Sequence, residues 1–529
     1  MTSLPVLSKS PDHEKHKKYD RQLRLWGDHG QSNLESANIC LLNASVTGTE
    51  ILKSIVLPGI GGFTIVDGQL VTKNDIGTNF FLTAEDIGKS RAKSAMNLLL
   101  ELNSDVHGDF VDESPEHVFE NNPTFFDKFS VVIATNLNES TLLKLSDLLW
   151  RQNIPLLICK TYGMIGYMRI QVREHTVIES HPDNTHEDLR LDRPFSKLLN
   201  YVNSINLESM DKTTHKHTPY LVIILKNLLV WQSKNNGKLP KTYKEKEMFR
   251  KMIKEGNIVH ENGVMEEEEN FEEAIKAVNT ALIPSKIPSN VEEIFNDSCC
   301  QNISHESSNF WILAKALKDF VDNEGHGLLP LRGSLPDMFS DSKRYINLQN
   351  LYHEEAALHI ELVTKHVDDI LSDIGRSQGS IPDSDIKLFC KNCHFLRVIR
   401  CRSIKKNMFR NNLENPDSEI SYYVLLRAVD RFYVNYNRYP GTSNDEKDIV
   451  NLKGVANKLL QEWNCGPLIQ DDCIHEMCKF GACEVPSIAA FIGGCAAQEV
   501  IKLVTHQYVP FNNTFIYNGI NVSCSVINL

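Results

Sequence analysis

Residues 39–68 read ICLLNASVTGTEILKSIVLPGIGGFTIVDG, and this stretch decides the fold. It begins with a short apolar run of strand length, and residues 63–66 form a second such run. Between them, residues 48–57 carry apolar side chains at helical spacing, and Pro58-Gly59 ends that helix. The order strand, turn, helix, strand predicts a nucleotide-binding type of unit. Asp67 follows the second strand, where such units place the acid that holds a ribose hydroxyl.

The turn between the first strand and the helix departs from a phosphate-binding turn. Such a turn needs several glycines, because the backbone amides must close on the anion. Here residues 43–48 read NASVTG, in which Gly48 is the single glycine. The side chains of Ala44, Val46 and Thr47 are expected to crowd a pyrophosphate. The sequence therefore predicts a chain that has kept the fold and lost the nucleotide.

Composition bounds the class of protein and its partners. The chain has 529 residues, 41% hydrophobic and 23% charged, with a net charge of −12. This acidic balance argues against a nucleic-acid partner. No apolar run reaches the ~20 residues of a membrane span, and residues 1–18 lack the apolar core of a signal peptide. We therefore expect a cytoplasmic and/or nuclear protein whose 13 cysteines are reduced thiols.

The order of predicted elements indicates an α/β fold with an insertion. Strands and helices alternate up to about residue 172, which predicts a doubly wound, mostly parallel sheet with helices on both faces. Helical periodicity then dominates to about residue 480, and an apolar helix from Pro486 and a strand near residue 516 follow. The predicted divisions are a disordered arm (1–18), the first part of the α/β domain (19–172), a mainly helical insertion (173–480) and the closing part of the α/β domain (481–529).

Four landmarks carry a resemblance to a known family. They are residues 19–27 (YDRQLRLWG), the unit 41–67, residues 161–166 (TYGMIG) and residues 498–502 (QEVIK). With them the whole chain resembles the ubiquitin-activating-enzyme family, which has the Rossmann-like ThiF/MoeB-type adenylation fold. In active members, ATP adenylates the C-terminal glycine of a ubiquitin-like protein, and a cysteine then takes the acyl group as a thioester. The resemblance implies that the helical insertion occupies the place of a catalytic-cysteine domain.

The residues that the family uses for ATP chemistry are largely replaced. Of the family's Asp-x-Asp only Asp67 remains, and the phosphate-binding arginine is absent from residues 75–79 (DIGTN). Arg91 stands where the family has a lysine, and Asn136 stands where it has a magnesium-linked aspartate. A neutral amide cannot offset a divalent cation. The resemblance therefore implies that this chain binds no cofactor and that ATP and magnesium are held by a partner subunit.

The cysteines give neither a nucleophile nor a metal site. None of the 13 has the setting of the family's thioester cysteine, which lies before a threonine and near a proline, so we assign no catalytic residue. Cys390 and Cys393 have the spacing of zinc ligands, but a structural zinc needs four ligands and no second Cys-x-x-Cys pair exists. We predict that Cys159, at the end of a strand, is a buried core thiol.

The N-terminal landmark supplies the main candidate for a retained role. In the family, an Arg-Gln segment crosses the dimer interface and its guanidinium reaches the ATP that the other subunit holds. Arg21 and Gln22 are the matching residues here, with Gln22 and Arg24 as the weaker candidates for the contact. A planar, permanently charged guanidinium can stabilise phosphate charge in trans, as an arginine finger does. The alternative is a surface arginine on a helix whose Leu23 and Trp26 pack inward.

The resemblance also implies a partner-binding loop at residues 330–343, whose apolar residues are expected to be exposed. A plain surface connection is the alternative. The residues of this loop are Pro330, Leu331, Arg332, Gly333, Ser334, Leu335, Pro336, Asp337, Met338, Phe339, Ser340, Asp341, Ser342 and Lys343.

The resemblance as a whole implies the regulatory, non-catalytic subunit of an obligate heterodimeric activating enzyme. Its implied partners are a catalytic subunit, a ubiquitin-like modifier and, transiently, a conjugating enzyme. Length and segments such as 162–169 favour the branch that acts in neddylation. The nearest alternative is the equivalent subunit of the SUMO-activating enzyme, whose members are shorter in the middle. Two other classes stay open: a nucleotide-dependent oxidoreductase, against which the single-glycine turn argues, and an interaction protein with no role in activation.

Overall fold

The computed structural model describes residues 11–183, 185–258, 266–404, 418–442, 445–466 and 469–529. They form two compact units. The first joins the chain up to Val177 with Val398–Leu529, and the second is Ile178–Arg397. The predicted arm lies partly outside the described residues, and its residues 11–18 belong to a helix.

The first unit is built on an eight-stranded sheet. Its strands are β1 (Asn38–Leu42), β2 (Gly62–Val66), β3 (His107–Val111), β4 (Val131–Thr135), β5 (Leu156–Tyr162), β6 (Ile165–Gln171), β9 (Thr514–Asn518) and β10 (Ser523–Ile527). The order across the sheet is β10-β9-β6-β5-β4-β1-β2-β3. β5, β4, β1, β2 and β3 run parallel, and β6, β9 and β10 continue the sheet antiparallel. The prediction of a doubly wound, mostly parallel sheet is confirmed.

Helices cover both faces of this sheet. They are α1 (Pro11–Ser36), α2 (Val46–Val56), α3 (Lys73–Thr78), α4 (Arg91–Leu100), α5 (Pro115–Asn121), α6 (Glu139–Gln152), α17 (Ile420–Tyr436), α18 (Asp445–Glu462), α19 (Asp471–Lys479) and α20 (Pro486–Thr505). Side chains alternate between the faces of a strand. Accordingly Ile39 and Leu41 pack with α1, α2, α4 and α20, whereas Cys40 and Leu42 face the core that α6, α17, α18 and α19 complete.

The strand–turn–helix unit at the centre folds as its sequence predicts. β1 is buried along Ile39–Leu42, and α2 buries its apolar residues against the sheet. Ser45 is the N-cap of α2, and its hydroxyl accepts a hydrogen bond from the Gly48 N–H at 3.1 Å. A Cβ on Gly48 would lie 2.9 Å from both the Asn43 carbonyl oxygen and Leu41 Cδ1. Close packing of helix on strand therefore explains the one glycine that the turn retains.

α20 returns the chain to the sheet and packs on α2. At the crossing, Gly493 meets Glu50, where a Cβ would lie only 2.8 Å from the Glu50 Cβ. By length and composition α20 could cross a membrane, but 61% of its apolar window is buried inside the protein. A mostly buried apolar helix of this kind is typical of a core helix in a soluble fold.

The insertion is shorter than the predicted 173–480. Residues of α17 such as Tyr423 and Leu426 are buried in the same core as Val132 and Ile158 of the sheet. Helical periodicity predicts that α17 and the segments after it are helices, but it does not predict which hydrophobic core they cover. The structure assigns them to the first unit, so the second unit ends at Arg397.

The second unit is helical, as the periodicity predicts. After β7 (His175–Val177) of the first unit, its helices are α7 (Ser196–Ser204), α8 (Lys212–Lys216), α9 (Tyr220–Lys234), α10 (Tyr243–Lys254), α11 (Glu269–Ala281), α12 (Ser289–Asn296), α13 (Ser298–Gln301), α14 (Asn309–Asp322), α15 (Ser342–Asp373) and α16 (Asp383–Asn392). Its core includes Val222, Phe249, Phe271 and Tyr352. The short strand β8 (Arg397–Ile399) follows α16.

Candidate functional site

The candidate site is a crevice at the carboxyl ends of β1 and β4, where the strand order reverses. A cavity of about 580 Å³ lies there, and its lining includes Ser45, Asn136, Lys160 and Glu484. Open doubly wound sheets bind their ligands at this position. The crevice is therefore the place to test whether a nucleotide can be held.

Glu484 fills the anion position at the N-terminus of α2. Its carboxylate accepts a hydrogen bond from the Val46 backbone N–H at 2.9 Å and another from the Thr47 hydroxyl at 2.8 Å. The free N–H groups and the dipole of a helix N-terminus attract anions. A backbone β-bridge between Gly163 and Glu484 positions the main chain that carries this side chain. The chain thus directs its own carboxylate to donors that a phosphate would otherwise use.

The side chains of the turn are bonded to the sheet and not open to a ligand. The Ser45 hydroxyl donates to the Thr135 hydroxyl at 3.0 Å. Asn43 adopts a left-handed conformation with φ of 67°, and its amide donates to the Thr135 carbonyl oxygen at 2.9 Å. Asn79 holds the other side of the turn, because its amide donates to the Ala44 carbonyl oxygen at 3.3 Å.

Asp67, the acid expected to hold a ribose, is fully buried and already bonded. It accepts hydrogen bonds from the Ala44 N–H at 2.8 Å, from the Gln69 N–H at 2.9 Å and from Arg91 Nε at 2.6 Å. Arg91 also reaches Asp75 at 3.3 Å. Burial lowers the pKa of Arg91, but the two carboxylates outweigh it and raise that pKa. Asp67 and Arg91 therefore form a structural ion pair.

Two lysines line the crevice: Lys73 is exposed and forms no ion pair among the described residues, whereas Lys160 is neutralised. Lys160 is 9% exposed, and its ammonium group pairs with the buried carboxylate of Asp430. Burial raises the pKa of Asp430, and Lys160 opposes that change. Asn136, which stands in place of the magnesium-linked acid, has φ of 48° and brings no charge to the crevice. These residues do not fit a magnesium nucleotide, because the carboxylates that line the described crevice are already bonded: Asp75 pairs with Arg91, and Glu484 accepts from Val46 and Thr47.

Comparison with known proteins agrees with this geometry. The model of the ThiF family matches residues 19–529. The chain belongs to the ThiF family. This match confirms the family membership that the four landmarks predict.

Relatives within the ThiF family match along nearly their whole length. A Danio rerio protein named "NEDD8-activating enzyme E1 regulatory subunit" is 53% identical, with 98% of this chain and 99% of the relative covered. A Gallus gallus protein of the same name is 54% identical, with 97% and 98% covered. The Arabidopsis thaliana protein named "NEDD8-activating enzyme E1 regulatory subunit AXR1" is 43% identical, with 97% and 96% covered.

The landmark at residues 19–27 lies on α1, and one side of this helix is buried against the first unit. Tyr19 is 3% exposed, and Asn103 Nδ2 donates to its hydroxyl at 3.0 Å. The Trp26 carbonyl oxygen accepts a hydrogen bond from Gln507 at 2.8 Å. Gly27, with φ of 68°, breaks the helix directly afterwards. The helix begins before the landmark, at Pro11, and its Trp26 is buried, as the inward-packing alternative expects.

Arg21 and Gln22 differ in what they offer to a partner. Arg21 is exposed and makes no hydrogen bond or ion pair with the part of the chain that the structure describes. Gln22 is half-buried, and its Oε1 is enclosed without a hydrogen-bond donor among the described residues. A contact of Arg21 or Gln22 with ATP in a partner subunit stays a prediction. Of these two residues, Arg21 is the one that presents a free charged group.

The predicted partner-binding loop is more buried than expected. Leu331 is 2% exposed, and Leu335 and Met338 pack against the core of the second unit. Phe339 stacks on His217 with 5.3 Å between ring centroids, and Arg332 lies over Phe395 at 4.7 Å. The expectation of exposed apolar residues is therefore wrong, because the loop closes its own unit.

A smaller part of that loop is accessible. Asp337, Ser342 and Lys343 are exposed, and the last two already belong to α15. The Asp341 carboxylate caps that helix by accepting from the Arg344 N–H at 2.9 Å. The partner-binding role of residues 330–343 stays a prediction, and polar groups are what the loop presents.

The cysteines are mostly packing residues. Cys159 and Cys393 are 0% exposed and Cys390 is 1% exposed. Burial raises the pKa of the Cys390 thiol to about 12, which keeps it protonated. Across the described ranges, no group of three or more His, Cys, Asp or Glu side chains is placed to hold a metal ion.

Sequence reasoning missed Glu484 as a site residue. The local signal was slight: an acid two residues before Pro486, which opens α20. The missing glycines indicated that phosphate does not bind, but they did not indicate which group takes the helix N-terminus instead.

Proposed function

We propose that this chain is the regulatory subunit of a heterodimeric NEDD8-activating enzyme. The names of relatives at 53% and 54% identity support this role. The observation that carries the non-catalytic part is Glu484, whose carboxylate takes the donors at the N-terminus of α2. The crevice of this chain is then a structural remnant, and ATP and magnesium are bound in the catalytic partner subunit.

In this proposal the chain supports two steps that occur in its partner. The partner adenylates the C-terminal glycine of the modifier and then forms a thioester on its own cysteine. Arg21 extends from α1 into the partner's ATP site, where its guanidinium stabilises negative charge on the phosphates. Its exposure and its lack of a partner among the described residues leave it free to do so. Gln22, half-buried in its own chain, is the weaker candidate for the same contact.

The chain also binds its partner through surfaces of its own. The accessible polar residues of the loop, Asp337, Ser342 and Lys343, are proposed to contact the catalytic subunit. A conjugating enzyme binds the assembled heterodimer transiently and receives the modifier. The equivalent role in SUMO activation is not supported. The relatives that match nearly the whole chain are named as subunits of the NEDD8-activating enzyme.

The test compares the purified chain alone with the chain reconstituted with candidate catalytic subunits. ATP–pyrophosphate exchange and thioester formation are measured with NEDD8, ubiquitin and SUMO in parallel. The chain alone is expected to be inactive, and the heterodimer is expected to form the thioester with NEDD8. Tight ATP binding or acyl-adenylate formation by the chain alone would overturn the proposal. A heterodimer that charges only SUMO would overturn the choice of modifier.

A further inference from the structure

One short stretch of the second unit has a charge opposite to that of the whole chain. Residues 234–254 contain seven lysines and one arginine against two glutamates, in a chain whose net charge is −12. Most of this stretch is α10. An isolated basic region on an acidic protein creates a local positive field that is felt by approaching anions.

The two glutamates do not neutralise these lysines. Glu245 accepts hydrogen bonds from the backbone N–H groups of Lys241 at 2.9 Å and Thr242 at 2.8 Å, as part of a capping box. Glu247 pairs with Arg250 at 2.5 Å. Among the described residues, Lys244, Lys251 and Lys254 form no ion pair, and each is exposed.

The exposed side of α10 combines these charges with apolar groups. Phe249 and Ile253 are buried and fix the helix to its unit. Lys244, Met248 and Lys251 are spaced by four and three residues, so they follow one another along the opposite side. Met248 is 56% exposed and Tyr243 is 80% exposed. Tyr243 and Met248 therefore add exposed apolar surface beside lysines that form no ion pair among the described residues.

We infer that this side of α10, the α10 face (Tyr243, Lys244, Met248, Lys251 and Lys254), is a docking surface for an acidic segment of a partner protein. Carboxylates of that segment would pair with the lysines, and an apolar residue between them would cover Met248 and Tyr243. α10 has 12 residues and is about 18 Å long, so it accommodates a short helix or an extended segment of five or six residues.

Charge and composition favour a protein segment over a nucleic acid. A nucleic acid would extend beyond the α10 face over a protein whose net charge is −12, whereas a segment of five or six residues stays within reach of the local lysines. Proteins that bind single strands use several aromatic side chains as stacking platforms. The α10 face offers one, Tyr243.

The test uses the full chain and a fluorescein-labelled peptide of repeated Glu-Leu-Asp-Glu units, with binding followed by fluorescence anisotropy. The double variant Lys244→Glu/Lys251→Glu is expected to weaken binding at least fivefold, and added salt is expected to weaken binding of the unmodified chain. Met248→Ser is expected to weaken binding by a smaller factor, because it removes only the apolar contact. Circular dichroism shows that each variant keeps its helical content.

A matched control separates the α10 face from net charge. Lys387 and Lys391 are also exposed, are spaced by four residues on α16 and form no ion pair among the described residues. Lys387→Glu/Lys391→Glu makes the same change in net charge and is expected to leave peptide binding within twofold of the unmodified chain. An equal loss in both double variants would overturn the proposal. So would the absence of peptide binding, or lysine-dependent binding of oligouridylate or anionic vesicles that is tighter than binding of the peptide.

Discussion

The Glu484 carboxylate accepts a hydrogen bond from the backbone N–H of Val46 at 2.9 Å, across 438 residues of sequence. The bond joins the first turn of the α/β domain to the segment that returns from the insertion. The position that would hold phosphate in an adenylating enzyme is here a structural contact between the two parts of the domain. The same carboxylate therefore occupies the donors at the start of α2 and links the two parts of the domain.

Glu484→Ala is expected to loosen the start of α2. Without the carboxylate, the Val46 N–H loses its acceptor, which costs about 1–2 kcal/mol for a partly exposed charged hydrogen bond, whereas the Thr47 hydroxyl still has the Thr161 hydroxyl at 2.7 Å. Hydrogen exchange measured by mass spectrometry should show the peptide that contains Val46 exchanging roughly tenfold faster. Glu484→Gln keeps one acceptor oxygen and should give a smaller increase. Unchanged exchange in Glu484→Ala would mean that the carboxylate does not hold the turn.

Gly48→Ala is expected to destabilise the first unit. The added methyl group would lie 2.9 Å from the Asn43 carbonyl oxygen and from Leu41 Cδ1, so strand and helix must separate. Overpacking of this kind costs about 1–3 kcal/mol, and thermal denaturation should show the lower melting temperature.

Gly454→Ala is the matched control for that substitution. Gly454 lies inside α18 of the same unit, and a Cβ there meets nothing within 4 Å. Alanine is the better helix former by about 1 kcal/mol, so this variant should be as stable as the unmodified chain or slightly more stable. If the two variants melted alike, steric contact at Gly48 would not be the reason for its presence.

Local features of the sequence were sufficient to predict the centre of the fold. β1 and α2 are short, strongly apolar and bounded by a cap and a Pro-Gly pair, so tertiary contacts do not override the local preference. The sequence also shows that residues 43–48 depart from a phosphate-binding turn, because that pattern lies within one short segment, and the absence of a bound nucleotide stays a prediction. The family resemblance adds two further replaced positions, Arg91 and Asn136, and both residues line the crevice.

Contacts between distant segments could not be predicted in the same way. α17 has a helical pattern, but its pattern does not reveal that Tyr423 packs with Tyr167 of β6 at 5.6 Å between ring centroids. The end of the insertion was therefore placed too late. The same holds for Glu484, whose donors are hundreds of residues away, and for the loop at residues 330–343, whose apolar side chains were expected to face solvent.

Stability of the first unit is expected to fall in mild acid through His175. This side chain is 4% exposed, and burial together with electrostatic repulsion from the neighbouring His506 lowers its pKa from 6.5 to about 3. Below pH 6.5 the unfolded chain takes up a proton at this position that the folded chain refuses. The stability that neutral His175 supports is therefore present above pH 6.5 and is lost as the pH falls toward 3, by about 2 kcal/mol at about pH 5.

The measurement for His175 is a comparison of denaturant unfolding at neutral pH and at about pH 5. His175→Gln cannot take up a proton in this range, so its loss of stability on acidification should be smaller by about 2 kcal/mol. His29→Gln, at an exposed position on α1, should lose as much as the unmodified chain. An identical acid response in His175→Gln would show that other groups control the acid sensitivity.

Arg21→Ala is expected to leave the chain folded and the heterodimer assembled, while the activity of the partner falls. Arg21 is exposed and makes no contact with charged or hydrogen-bonding groups of the described chain, so its loss should not change the melting temperature. Removing a guanidinium that stabilises phosphate charge should lower ATP–pyrophosphate exchange of the heterodimer at least tenfold. Arg21→Lys should recover only part of the rate, because an ammonium lacks the planar fork.

Arg24 provides the control for Arg21 on the same helix. It is also exposed, but its guanidinium pairs with Asp20 at 2.9 Å and is therefore not free for a partner. Arg24→Ala removes the same charge three residues away and should retain most of the exchange rate. Size-exclusion chromatography confirms that each heterodimer is intact before rates are compared. Exchange that is unchanged in Arg21→Ala, or reduced equally in both variants, would show that Arg21 does not act on the ATP of the partner.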